Sequence, residues 1–312
     1  MEKVLAIVLP VFALIALGYA AGRFKWVSEA TPKGLADFTF NLAVPAMLFR
    51  TMAVASLPAV TPWKLWASYF GAALLIWVLA TLNARLVLRR PAADGAPIAM
   101  ASAFGNVVML GIPLSLAALG PDAAGPIAVI VSLHTPVLWF LASLHMSVAS
   151  AGRSADRTAM LTALFADLAR NPIIVSIAAG TLWRSTGLGI DPIAAKILVM
   201  LAQASVPAAL VALGLSLLKF EIKGQTPTLA SILALKLVAM PLAAWLIATH
   251  LLALPPVTAG VVVIFAAMPT GANAFLFADK HQRAVYSASG AVALGTMMSV
   301  ATAMIAVYVV GH

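Results

Sequence analysis

Gly105-Asn106-Val107-Val108-Met109-Leu110-Gly111-Ile112-Pro113-Leu114 lies in the middle of an apolar run from 96 to 119, and Met268-Pro269-Thr270-Gly271-Ala272-Asn273 lies within another from 256 to 278. A proline inside a helix removes one hydrogen bond and clashes with the preceding turn, and glycine adds backbone freedom. Both runs are therefore expected to unwind near their centres. Unwound backbone inside a membrane is tolerated only within protein or around a watery cavity, so the two stretches together mark a candidate site.

The runs belong to a chain with membrane composition. Of 312 residues, 63% are hydrophobic and 9% charged, with a mean hydropathy of +1.04. Soluble domains average about 45–50% apolar and 25% charged residues, so a soluble globular protein is excluded. Apolar runs long enough to span a bilayer fall at about 4–22, 35–52, 63–88, 96–119, 123–149, 172–187, 192–218, 227–251, 256–278 and 284–310. The expected fold is an all-α polytopic membrane protein of ten transmembrane helices. The net charge of +9 comes from Lys and Arg scattered between runs, which fits membrane topology and argues against a nucleic-acid partner. With no cysteine there is no disulfide, thiolate nucleophile or cysteine metal site, and no motif calls for a cofactor or metal.

If the chain alternates across the bilayer, thirteen of the 19 Lys and Arg residues fall on one side, in the odd-numbered loops. The positive-inside rule then places both termini outside. Residues 1–149 form one five-helix half and 172–312 the other; 150–171 reads as a cytoplasmic amphipathic linker helix. The halves repeat weakly. Asn41-Leu-Ala-Val-Pro45 resembles Gln203-Ala-Ser-Val-Pro207, and Gly18 corresponds to Gly180 at the same offset of 162. An odd number of spans per half inverts the second half relative to the first, as in many secondary transporters.

Half-helices ending at such breaks offer free N–H groups and positive dipole ends, which suit a carboxylate. Asn106, Asn273, Thr270 and Gly271 are the substrate-binding candidates there, with Gly105, Gly111, Pro113 and Pro269 shaping the crossing. Pro45 and Pro207 read equally as kinks or as substrate contacts, and Asn41 and Gln203 stay open in the same way. Lys236 lies within the eighth run. It either neutralises helix C-terminal ends and carbonyls as a structural lysine or raises the potential for an anionic substrate. His134 is either a proton carrier or a hydrogen-bonded packing residue. No Asp or Glu sits near the middle of a run, which counts against an obligatory proton or cation antiporter.

Five stretches carry a family resemblance: Gly105–Leu114, Arg170-Asn171-Pro172, Val206-Pro207 through Gly214, Leu235-Lys236 through Pro241, and Met268-Pro269-Thr270-Gly271. In this order they resemble the auxin efflux carrier family, which includes plant auxin exporters and bacterial carriers of malonate and other small carboxylates. The resemblance implies the fold of bile-acid symporters and sodium/proton antiporters: two inverted five-helix repeats, with helices 4 and 9 broken and crossed. It also implies a scaffold of helices 1, 2, 6 and 7, a mobile unit of helices 3–5 and 8–10 moving as an elevator, a homodimer, and a bacterial-type inner membrane with periplasmic termini. Asn106 occupies a substrate-contacting position of the plant carriers.

The leading expectation is thus a secondary transporter of a small organic anion, auxin-like or a mono- or dicarboxylate. A sodium- or proton-coupled symporter of the same fold is one alternative. An intramembrane hydrolase using Ser102 or Ser132 with His134 is another, although no complete nucleophile, base and orienting set is visible.

Overall fold

The computed structural model describes residues 2–54, 62–149, 162, 166, 169–221 and 226–311. Most of the 150–171 segment, and with it the expected amphipathic linker, lies outside these residues. Every regular element among the described residues is helical, and the only extended pairing is an isolated antiparallel bridge between Gly105 and Thr270.

In chain order the helices are α1 (Glu2–Arg23), α2 (31–54), α3 (Pro62–Val87), α4 (Gly95–Ala103), α5 (Val107–Leu119), α6 (Pro121–Ala149), α7 (Pro172–Ser185), α8 (Pro192–Lys219), α9 (Thr226–Leu251), α10 (Pro256–Ala267), α11 (Ala272–His281) and α12 (Val285–Val310). Six of them, α1, α3, α6, α8, α9 and α12, are long and apolar enough to cross a membrane, and α5 and α10 are shorter apolar helices. The outer surface is apolar as well: Leu9, Leu86 and Ile193 are each more than 60% exposed. Large side chains of this kind face lipid in a multi-pass membrane protein.

Several helix starts follow from local chemistry. The Asn171 side chain accepts from the Ile173 N–H at 3.0 Å, and Asp191 accepts from those of Ile193 and Ala194. Each cap is followed by a proline in the first turn, where the missing N–H costs nothing.

Prolines inside the helices show a second pattern. Pro45, Pro113 and Pro241 each lie two residues after a π turn, at Thr39–Ala43, Val107–Gly111 and Leu235–Ala239. A π turn widens the backbone where the proline ring would meet the carbonyl four residues earlier. None of the three prolines breaks its helix, and Pro207 also sits inside a continuous helix. The unwinding in the fourth run therefore falls at residues 104–106, ahead of Pro113.

Packing between helices uses small residues, as expected where lipid supplies no hydrophobic drive for association. α1 lies along α8, and α2 along α7. Gly18 meets the Val211 carbonyl at the first contact, and Gly180 meets the Phe49 carbonyl at the second, each so closely that a Cβ would displace backbone.

Candidate functional site

α4 ends because Phe104 turns extended (φ −78°, ψ 107°), and Asn106 (φ −77°, ψ 62°) precedes the turn into α5. α10 ends likewise at Met268 (ψ 143°), and extended Gly271 leads into α11. Buried extended backbone must find partners, and the two breaks supply them to each other. The Asn106 N–H donates to the Pro269 carbonyl at 2.8 Å, and the Gly271 N–H to the Phe104 carbonyl at 3.0 Å. The Thr270 hydroxyl, from a residue only 1% exposed, donates to the Ala101 carbonyl at 2.8 Å. Glycine is required at 271, since a Cβ would stand 2.9 Å from the Phe104 ring. At Gly111 a Cβ would press on Phe265 and Met268 of the other broken run.

Two polar groups back the crossing from outside the broken helices. Lys236 is fully buried; its ammonium donates to the Ala266 carbonyl at 2.9 Å and contacts the Met240 sulfur at 3.0 Å. It stands beside Gly105, 3.3 Å from where a Cβ would be, and so lies at the C-terminal ends of both α4 and α10. His134 of α6 has its Nε2 3.1 Å from the Gly105 carbonyl and its Nδ1 3.1 Å from the Tyr69 hydroxyl of α3. The Phe104 ring packs on the imidazole, with centroids 4.4 Å apart.

In front of the crossing lies a cavity of about 620 Å³. Val107, Val108 and Met109 at the start of α5, and Ala272 and Asn273 at the start of α11, line it. The first N–H groups of a helix have no intrahelical acceptor, and neither α5 nor α11 has a side-chain cap. Asn106 and Asn273 also line the cavity. Neither carboxamide has a hydrogen-bond partner among the described residues, although Asn106 is only 7% exposed. Phe40, Thr135 and Arg170 contribute to the walls, and no carboxylate does among the described residues. The arrangement presents two positive helix ends and neutral amides, which is the chemistry of an anion receptor.

Of the residues singled out in the sequence, the structure thus gathers Gly105, Asn106, Pro269, Thr270, Gly271 and Asn273 at one place, with His134 on the cavity wall and Lys236 behind it. Asn41 and Gln203 are exposed on α2 and α8 and do not line the cavity. Pro45, Pro113 and Pro207 lie away from its lining too. Ser102 and Ser132 donate to the Ile98 and Val129 carbonyls of their own helices, and both His134 nitrogens are engaged elsewhere, so no serine–histidine pair exists here. Sequence reading missed Tyr69, Thr135 and Arg170 as site residues. Thr135-Pro136 beside His134 was an available signal for Thr135, and Arg170 has its signal in the Arg170-Asn171-Pro172 stretch, which carries the family resemblance. No motif in the run around Tyr69 sets it apart.

The family described as "Membrane transport protein" matches residues 3–308. A protein of Rhizobium meliloti (strain 1021) named "Putative malonate transporter" is 28% identical over 305 residues, covering 97% of this chain and 94% of that protein.

Proposed function

Since the chain belongs to the membrane transport protein family, that of the auxin efflux carriers, and is a transporter rather than an enzyme, we propose that it carries a small organic anion through the cavity at the crossing. A mono- or dicarboxylate of malonate's size is the substrate class, in keeping with the name of the Rhizobium meliloti relative. The observation that carries the proposal is that, among the described residues, two uncapped helix N-termini and two unpartnered carboxamides meet on one cavity with no carboxylate in its walls. A carboxylate gains charge-assisted bonds there without needing a counter-ion. Asn106, Asn273 and Gly271 touch it in this account, while Thr270 holds the backbone that shapes the site.

The same proposal takes the ten helical segments as ten spans in two inverted repeats, α4–α5 and α10–α11 being the broken helices 4 and 9. The glycine contacts support it: Gly18 with Val211 and Gly180 with Phe49 are related by the offset of 162 at both partners, with the halves exchanged. The lining supports an elevator reading: Phe40, Pro172, Ile173 and Ala212 come from helices 2, 6 and 7, which the proposal assigns to the scaffold, and the crossing comes from helices it assigns to the mobile unit. Its walls reach Pro32 and Arg170, on the cation-rich side, so the conformation is open to the cytoplasm if both termini are periplasmic in a bacterial inner membrane. Exposed amides at mid-span, Asn41 and Gln203, are costly against lipid, which favours their burial by a second copy in a homodimer.

Uptake of labelled malonate by proteoliposomes tests the proposal. We expect saturable uptake in sodium-free buffer, driven by an interior-positive potential. Uptake no greater than in empty liposomes, across a panel of mono- and dicarboxylates, contradicts it.

A further inference from the structure

We propose that Tyr69 and His134 form a clamp that fixes the peptide group between Gly105 and Asn106 and thereby aims the Asn106 carboxamide into the cavity, an inference that rests on reading that cavity as the anion site. The Gly105 carbonyl can only accept a hydrogen bond, so the His134 Nε2, 3.1 Å away, carries the proton. The Nδ1 faces the hydroxyl of Tyr69, a side chain fully buried and with no other polar partner among the described residues. With neutral imidazole, the tyrosine O–H donates to Nδ1 and every polar hydrogen of the pair is used. With imidazolium, Nδ1–H would donate to the hydroxyl oxygen and leave the phenolic proton buried without an acceptor, which is costly.

The mechanical consequence follows from peptide planarity. The carbonyl of the 105–106 peptide is held by His134 and its N–H by the Pro269 carbonyl, so the plane from which the Asn106 side chain departs is fixed at both ends. The Phe104 ring on the imidazole and the Gly271 N–H on the Phe104 carbonyl hold the preceding residue. His134 is therefore a positioning residue that acts on the anion only through Asn106.

His134→Gln, His134→Leu and Tyr69→Phe test this together. A glutamine carboxamide reproduces both the donor and the acceptor without titrating. We expect His134→Gln to bind malonate within about threefold of the wild type, and His134→Leu to bind about tenfold or more weakly in its folded fraction, as suits loss of an anchoring bond. Tyr69→Phe should fall between them. Glutamine as defective as leucine, or leucine equal to wild type, overturns the clamp. Imidazole ¹⁵N spectra give a readout without any ligand. One histidine signal, missing in His134→Gln, should report the Nε2–H tautomer; the Nδ1–H tautomer there overturns the proposal. If that signal shows the Nε2–H tautomer but no variant, nor the wild type, binds any carboxylate, the clamp stands and the anion-site reading fails.

Discussion

Asn106→Ala is expected to lose malonate binding by about 10- to 100-fold, the range for a hydrogen bond to a charged group, while its thermal stability stays close to that of the wild type. The two halves of this expectation come from one observation. The Asn106 carboxamide faces the cavity with no partner among the described residues, so truncating it orphans none of their polar groups. Its backbone bonds, the N–H to Pro269 and the carbonyl to the Leu110 and Gly111 N–H groups, survive the substitution. Binding isotherms and melting curves on the same preparation check both. A variant that melts far below the wild type would mean the side chain holds the crossing together.

Lys236→Met should show the opposite pattern. The ammonium sits at the C-terminal ends of α4 and α10, whose combined partial charge approaches one negative unit. This offsets its desolvation without any carboxylate. Methionine keeps most of the apolar stem but leaves the Ala266 carbonyl without its donor and the two helix ends facing each other uncompensated. The expected loss is about 1–3 kcal/mol of stability, the cost of an orphaned buried acceptor. Malonate affinity of the surviving folded fraction should be little changed, because Lys236 does not line the cavity. A variant with wild-type melting and weakened affinity would instead assign the lysine to substrate attraction.

What the sequence revealed, and what it hid, divides along the range of the interactions. The breaks at Gly105-Asn106 and Pro269-Thr270-Gly271 were visible because glycine, proline and asparagine mark non-helical backbone locally. Their pairing across 165 positions, residue 105 against 270, has no local signature. Pro113 looked like a break, but the π turn before it absorbs its ring, and nothing in five apolar residues announces a widened turn. Asn41 and Gln203 attracted notice as matching polar residues in two repeats, yet they lie on the outer face. When nearly every residue of a helix is apolar, periodicity cannot separate the lipid-facing side from the packed one. Tyr69 and His134, 65 positions apart, met only in the folded chain.

The central claim is that the transported anion occupies the cavity between the starts of α5 and α11. The chain contains no cysteine, so single cysteines report without background. Cysteine at Val108, inside the cavity, and cysteine at Leu218, in a neighbouring pocket beside Lys219, should both react with a small maleimide. Malonate should slow the reaction at 108 with a half-protecting concentration equal to its dissociation constant, and leave 218 unaffected. Full reactivity at 108 under saturating malonate, on protein shown to bind it, would place the anion elsewhere and contradict the account.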